Sequence, residues 1–275
     1  MILNFSLLPV FGLAIGLLMG LTGAGGGILS VPVLVLFVGL NISEAGPISL
    51  MAIAASSSVG ALLAFKTKSL RYKAAGLIAM CGVSTAPIGI YLARQFSNEL
   101  LTSLFGLMLM GVSLRSYLQT RGQNIQNREV NDIYKACRLN PETGKFVWTR
   151  ACFRVMISIG ALAGFFSGLF GVGGGFVIVP ALKKYTNLSQ ESIINTSIGV
   201  MAVISMGSVL LTAYTGTLNL VLGTEFSLGA IAGLIIGRQF SKYLNSRQSQ
   251  QIFSIFAFGV AIYMIVKSVF NLIGT

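Results

Sequence analysis

Histidine is absent from the 275 residues, and charge is scarce: Asp, Glu, Lys and Arg together make up 9%. Without imidazole, His-based catalysis, His metal ligation and His proton relays are excluded. A soluble domain carries about 25% charged residues because its surface meets water, so a water-soluble globule is excluded as well. The P-loop pattern G-x-x-x-x-G-K-[ST] is missing, which argues against ATP hydrolysis. The three cysteines, Cys81, Cys137 and Cys152, show no C-x-x-C spacing and imply no disulfide framework. Cys81 lies in an apolar run and reads as a buried small hydrophobe.

What is present is apolar sequence in long runs; 54% of the residues are hydrophobic. No charged side chain occurs over Met1–Ser43, Ala45–Phe65, Ala74–Ala93, Leu100–Leu114, Val155–Leu182, Ser192–Thr224 or Ser249–Val266. A membrane span needs roughly 20 mostly apolar residues. The runs are continuous rather than alternating, which favours helices over barrel strands. The expected fold is an all-α polytopic membrane protein with about eight full transmembrane helices plus short, broken ones. The net charge of +12 fits cytoplasmic loops between spans, where Lys and Arg collect, and not nucleic acid. The start, Met1 to Ser6, lacks the basic n-region of a signal peptide and reads as the approach to a first helix.

The chain repeats itself. Gly16-Leu-Leu-Met-Gly20-Leu-Thr-Gly23-Ala-Gly25-Gly26-Gly27, followed by Val31-Pro32, matches Gly164-Phe-Phe-Ser-Gly168-Leu-Phe-Gly171-Val-Gly173-Gly174-Gly175, followed by Val179-Pro180, at a constant offset of 148. Arg94-Gln95-Phe96-Ser97 recurs as Arg238-Gln239-Phe240-Ser241. Loop charge reverses between the copies. Lys66, Lys68, Arg71 and Lys73 follow the second long helix of the first half, whereas the equivalent Thr215–Asn219 carries no charge. Matching loops of opposite bias predict inverted repeats, with all but Arg94 and Lys267 of the 19 Lys and Arg residues on the cytoplasmic side. The organisation expected is residues 1–118 as the first repeat, 119–152 as a cytoplasmic linker and 153–275 as the second repeat. Within the linker, Asn140 to Trp148 reads as a small hairpin, and Trp148 is expected near a membrane interface.

The glycine runs are the candidate substrate site. Glycine permits positive φ and leaves no Cβ between ligand and backbone. Unwound backbone survives in a bilayer only when buried in protein or lining a wet cavity. Gly23, Gly25, Gly26 and Gly27, with Gly171, Gly173, Gly174 and Gly175, are therefore expected to form two unwound breaks. Pro32 and Pro180 are expected in the first turn of the short helices that follow. The N-termini of those helices favour an anion, and paired broken helices are a common transporter device. Gly12, Gly16 and Gly20, and Gly160, Gly164 and Gly168, have the spacing of helix-packing motifs instead. Ser49, Asn195, Thr196 and Ser197 stand near the breaks as neutral hydrogen-bond donors. Interhelical bonding is the competing reading for each of them. Glu225, the one acidic residue within an apolar helix, is the candidate for proton coupling; reaching water or a basic partner near its end of the helix is the alternative.

On these residues the sequence resembles the sulfite exporter TauE/SafE family. The resemblance rests on Gly20-x-x-Gly23-x-Gly25-Gly26-Gly27-x-x-x-x-Pro32 and Gly168-x-x-Gly171-x-Gly173-Gly174-Gly175-x-x-x-x-Pro180, on the Asn140–Trp148 segment and on the two Arg-Gln-Phe-Ser loops. One departure is Gly46-Pro47-Ile48-Ser49, where similar proteins often carry a run closer to Asn195-Thr196-Ser197. The resemblance implies transport of sulfite, sulfonates or related organic anions without ATP. The expected function is a secondary transporter acting as an exporter, without enzymatic activity. The alternative is an anion channel, or an uptake permease for a non-sulfur organic anion. No cofactor or metal is expected. The expected partners are a small anionic substrate, the lipid bilayer and protons as coupling ion, with a homodimer left open and nucleic acid excluded. The expected location is the bacterial inner membrane.

Overall fold

The computed structural model describes residues 7–22, 25–67, 69–121, 137, 146–216, 218–240 and 246–273. Apart from isolated bridges, one pairing Cys137 with Thr186, the regular structure of these residues is helical. The helices are α1 Leu8–Thr22, α2 Gly25–Val33, α3 Ile42–Lys66, α4 Tyr72–Gln95, α5 Asn98–Arg121, α6 Arg150–Phe170, α7 Gly175–Tyr185, α8 Gln190–Tyr214, α9 Leu220–Phe240 and α10 Ser246–Ile273. A π-turn over Leu34–Val38 extends α2 and ends at Gly39, whose φ of 77° is left-handed.

Among the described residues, six helices have the length and apolarity of a span: α3, α4, α5 over Asn98–Ser116, α6, α8 and α9. Leu8–Thr22, Gly26–Val38 and Ser254–Lys267 are shorter apolar segments. Leu62, Met80 and Leu228 are each about two-thirds exposed or more (67%, 73% and 68%), and such outward apolar surface suits lipid rather than water.

Local chemistry fixes several helix ends. Asn41 N–H donates to Glu44 Oε2 (3.2 Å) and Ile42 N–H to Asn98 Oδ1 (2.9 Å), which occupies orphan donors at the start of α3. Thr149 Oγ1 accepts from Cys152 N–H (3.1 Å) at the start of α6, and Ser189 Oγ accepts from Ser192 N–H (3.3 Å) at that of α8.

The main pairings are α1 with α9, α4 with α6, α5 with α10 and α3 with α8. Exchanging the two halves (α1 with α6, and so on to α5 with α10) turns the first pairing into the second and leaves the other two unchanged. Small residues set the first two. A Cβ on Gly12, Gly16 or Gly20 would overlap the carbonyl of Phe226, Ala230 or Leu234 respectively. A Cβ on Gly160, Gly164 or Gly168 would overlap that of Ile78, Gly82 or Ala86. These stripes let backbones touch, and their common order makes α1 parallel to α9 and α6 parallel to α4. By contrast α3 and α8 run antiparallel: Gly60 packs on Ile198, while Ile53 and Ser205 meet at Gly173. The helices α5 and α10 do the same, with Gly106 on Ile265 and Ser113 Oγ donating to Ser254 O (2.6 Å).

Two expectations are corrected here. Cys137 and Cys152 form a disulfide, with Cα atoms 4.8 Å apart. Cys137 N–H donates to Tyr185 O (3.1 Å) at the end of α7, and Cys152 sits in the first turn of α6. The junction of those two helices brings the thiols together, which the 15-residue separation did not announce. Cys81 is free and only partly buried, against Gly160. Pro32 and Pro180 are also not in first turns. Pro32 is the eighth of nine residues in α2, and Pro180 the sixth of eleven in α7. Each removes one backbone donor, freeing the carbonyl four residues earlier, and the helices begin at Gly25 and Gly175 instead. The hairpin expected from Asn140 lies largely outside the described residues; Phe146 and Trp148 beyond it form an edge-to-face pair at 6.3 Å.

Candidate functional site

Backbone conformation separates the two glycine runs. In the second half the chain leaves α6 through Gly171, Gly173 and Gly174, with φ of 73°, 72° and 74°. Gly171 N–H still donates to Ser167 O (2.8 Å), and Gly174 caps α7. In the first half the expectation of an unwound run is corrected: Gly25, Gly26 and Gly27 already form the first turn of α2, while Gly23 lies outside the described residues. Tight packing requires the glycine at 26, because a Cβ there would overlap the Met19 backbone of α1.

The two runs meet. A Cβ on Gly27 would lie 3.2 Å from Val172 O and 3.3 Å from both Ile53 Cδ1 and Met201 Cε. A Cβ on Gly173 would lie 2.8 Å from Ile53 Cγ2 and 3.0 Å from Ser205 Oγ. The start of α2 and the break before α7 therefore converge between the antiparallel central helices α3 and α8. Ser205 Oγ and Ser167 Oγ are buried and have no protein partner, so two hydroxyl donors remain uncommitted around the second break. In the first half the hydroxyls are occupied. Ser30 Oγ and Ser49 Oγ lie 2.5 Å apart, Ser30 Oγ also donates to Gly27 O (2.6 Å), and Ser57 Oγ donates to Ile53 O.

Asn195, Thr196 and Ser197 stand away from the breaks. Ten residues separate Asn195 from Ser205 along α8, a rise of about 15 Å. Asn195 Nδ2 donates to Ser69 Oγ (2.8 Å), and its Oδ1 accepts from Arg238 Nη2 (2.7 Å). Thr196 Oγ1 accepts from Arg71 N–H (3.2 Å), and Ser197 Oγ donates to Ile194 O (2.9 Å). Glu225 is half-buried on α9 next to Phe226, which packs on Gly12; its Oε2 is buried without a hydrogen-bond partner.

A cavity of about 70 Å³ reaches the second break from the other end of the bundle. Gly46, Pro47, Gly168, Gly171, Thr212 and Arg94 are among its lining residues, and Arg94 is the one charged side chain on its wall. Gly46 and Gly171 meet there backbone to backbone. The sequence marks Arg94 and Arg238 as a repeat and as loop charges but not as site residues, and it does not single out Ser167. Their recurrence at the ends of repeat-related helices was the available signal for the arginines; Ser167 gave none, since its counterpart at the repeat offset is Met19.

This all-helical fold, in which the two glycine runs meet at Gly27 and Val172, agrees with the match of the sulfite exporter TauE/SafE family profile to residues 8–264. The chain belongs to the TauE/SafE family. Relatives of this TauE/SafE protein are named as membrane transporters. It is 30% identical over 260 residues to a "Probable membrane transporter protein" of Xylella fastidiosa strain Temecula1, covering 92% of each chain. It is 26% identical over 279 residues to the "Probable membrane transporter protein YunE" of Bacillus subtilis, covering 98% of this chain and all of the relative. A "Probable membrane transporter protein MJ0441" of Methanocaldococcus jannaschii is 29% identical over 224 residues, covering 78% of this chain and 75% of the relative. No solved structure shows a significant match. The TauE/SafE protein is thus a multi-pass membrane transporter with six span-length helices among its described residues.

Proposed function

We propose that the chain is a secondary transporter that exports a small anion of the sulfite or sulfonate class, by alternating access between two oppositely oriented halves in a bacterial inner membrane. The carrying observation is the convergence of Gly27 with Val172 and Gly173 between α3 and α8. Sulfite oxygens accept hydrogen bonds, and this region offers helix N-termini, a backbone bared of Cβ atoms and the buried hydroxyls of Ser167 and Ser205. The cavity leading to Gly171 carries a single charge, the cationic Arg94, which favours anions. The opposite directions of the repeat-related pairs α3 and α8, and α5 and α10, support inversion of the halves. With α1 and α10 counted as spans, and the short α2 and α7 returning the chain across the membrane, each half would make an odd number of passes, as inversion requires. Asn195, Thr196 and Ser197 then belong to the cytoplasmic end of the route and Ser49 to the wall of the centre, while Glu225 is the proton-coupling group.

The test is uptake of radiolabelled sulfite, with sulfonates as competitors, into proteoliposomes under an imposed pH gradient. Saturable flux that follows the gradient is the expected result. Unsaturable, uncoupled flux would make the protein a channel, and absence of flux for every sulfur oxyanion would move the substrate to another organic anion.

A further inference from the structure

Arg94 and Arg238 open the two Arg-Gln-Phe-Ser sequences near the ends of α4 and α9, which are repeat-related helices. Both reach α8, but twenty residues apart, at Thr215 just past its end and at Asn195 near its start. That is a separation of about 30 Å along the helix axis. The two ends are in different states. Arg238 is half-buried; its Nη1 donates to Gly60 O (2.5 Å) on α3 and its Nη2 to Asn195 Oδ1 (2.7 Å) on α8. Asn195 Nδ2 continues to Ser69 Oγ (2.8 Å), and Glu191 in the first turn of α8 attracts the guanidinium. This cluster ties together elements of both halves directly behind which Ile198 packs on Gly60.

At the opposite end Arg94 is exposed; its Nη2 donates to Thr215 Oγ1 (2.5 Å), and its side chain borders the cavity that runs to Gly171. The residue at the repeat offset from Asn195 is Pro47, which has no amide and itself lines that cavity. The first half therefore lacks the side chain that completes the Arg238 cluster.

We propose that Arg94 and Arg238 mark the two gates of the transport cycle, and that the Arg238–Gly60–Asn195 cluster is the latch holding its gate shut in the form described, with the Arg94 gate open. This rests on the alternating-access reading above. A guanidinium that bridges two helices by two bonds holds them together as a single-point donor cannot. Because Pro47 replaces the amide, the resting protein favours the form with the Arg94 end open.

The test measures thiol alkylation in lipid nanodiscs, which expose both faces and need no substrate. In a cysteine-free background, Ser43→Cys reports the cavity at the Arg94 end and Ile198→Cys reports the space behind the latch. Without further change, Ser43→Cys should react fast and Ile198→Cys slowly. Adding Arg238→Ala should raise the Ile198→Cys rate at least ten-fold and lower the Ser43→Cys rate, with Arg238→Lys in between. Faster reaction at Ile198→Cys without a fall at Ser43→Cys would mean local loosening and would overturn the latch, as would unchanged rates at both. Absence of sulfite flux would leave these rates untouched, so failure of the substrate assignment is read separately.

Discussion

Gly164 packs on Gly82 with nothing but backbone between them, so that a Cβ on Gly164 would overlap Gly82 Cα, C and O. The parallel pair α4 and α6 is set by that contact. Gly164→Leu should therefore cost about 1–3 kcal/mol or more through overpacking and lower the thermal unfolding temperature of the detergent-solubilised protein. Gly111→Leu is the control, since nothing lies within 4 Å of a Cβ there. Equal unfolding temperatures for the two variants would refute the packing role of the stripe.

Gly173→Ala separates conformation from bulk at the break. Its φ of 72° disfavours any residue with a Cβ, and the nearest neighbours are the side chains of Ile53 and Ser205 rather than backbone. Membrane yield should remain near the parent level while transport falls about ten-fold, as expected for roughly 1.4 kcal/mol of strain on the active conformation. Undiminished flux would remove Gly173 from the transport site.

Glu225 carries a buried oxygen without a hydrogen-bond partner inside a span-length helix, a costly arrangement that marks ion paths. Glu225→Gln keeps the shape and removes the carboxyl group. Flux through the variant should lose its dependence on the imposed pH gradient, with the anion gradient alone still driving transport. A preserved pH dependence would assign coupling elsewhere.

Cys137 and Cys152 connect the sidedness of the linker to its redox state. Disulfides persist in oxidising compartments and are reduced in the cytosol, and the orientation proposed above puts this end of the bundle in the cytosol. Cells lysed directly into alkylating reagent should therefore yield both thiols alkylated, with the bridge closing in purified protein under oxidant; mass spectrometry reads both states. A bridge already formed in the cell would reverse the orientation. Labelling a cysteine at Thr215, in a cysteine-free background, from the outside only would support the orientation independently.

What the sequence by itself determined are properties written along the chain. Charge-free runs locate helices such as α3 and α4 to within a few residues, because the cost of a charge in lipid depends on the local stretch alone. The offset of 148 reveals the duplication, and spaced glycines locate the break before α7, whereas Gly25–Gly27 form the first turn of α2. Tertiary structure decided what depends on residues far apart in the chain. Which helix each glycine stripe faces, and in which direction, follows from the fit of Gly12 to Phe226 and of Gly164 to Gly82. The first glycine run is helical from Gly25, with Gly26 packed on Met19, while the second is unwound through Gly173 and Gly174, a difference that the near-identical motifs conceal. The prolines lie inside α2 and α7 because the helices start at the glycines, where packing rather than ring geometry sets the boundary. Cys137 finds Cys152 only where α6 meets α7. The two arginines look alike as motifs and differ in role because Asn195 stands beside one and Pro47 lines the cavity bordered by the other, a difference in surroundings that no local pattern encodes.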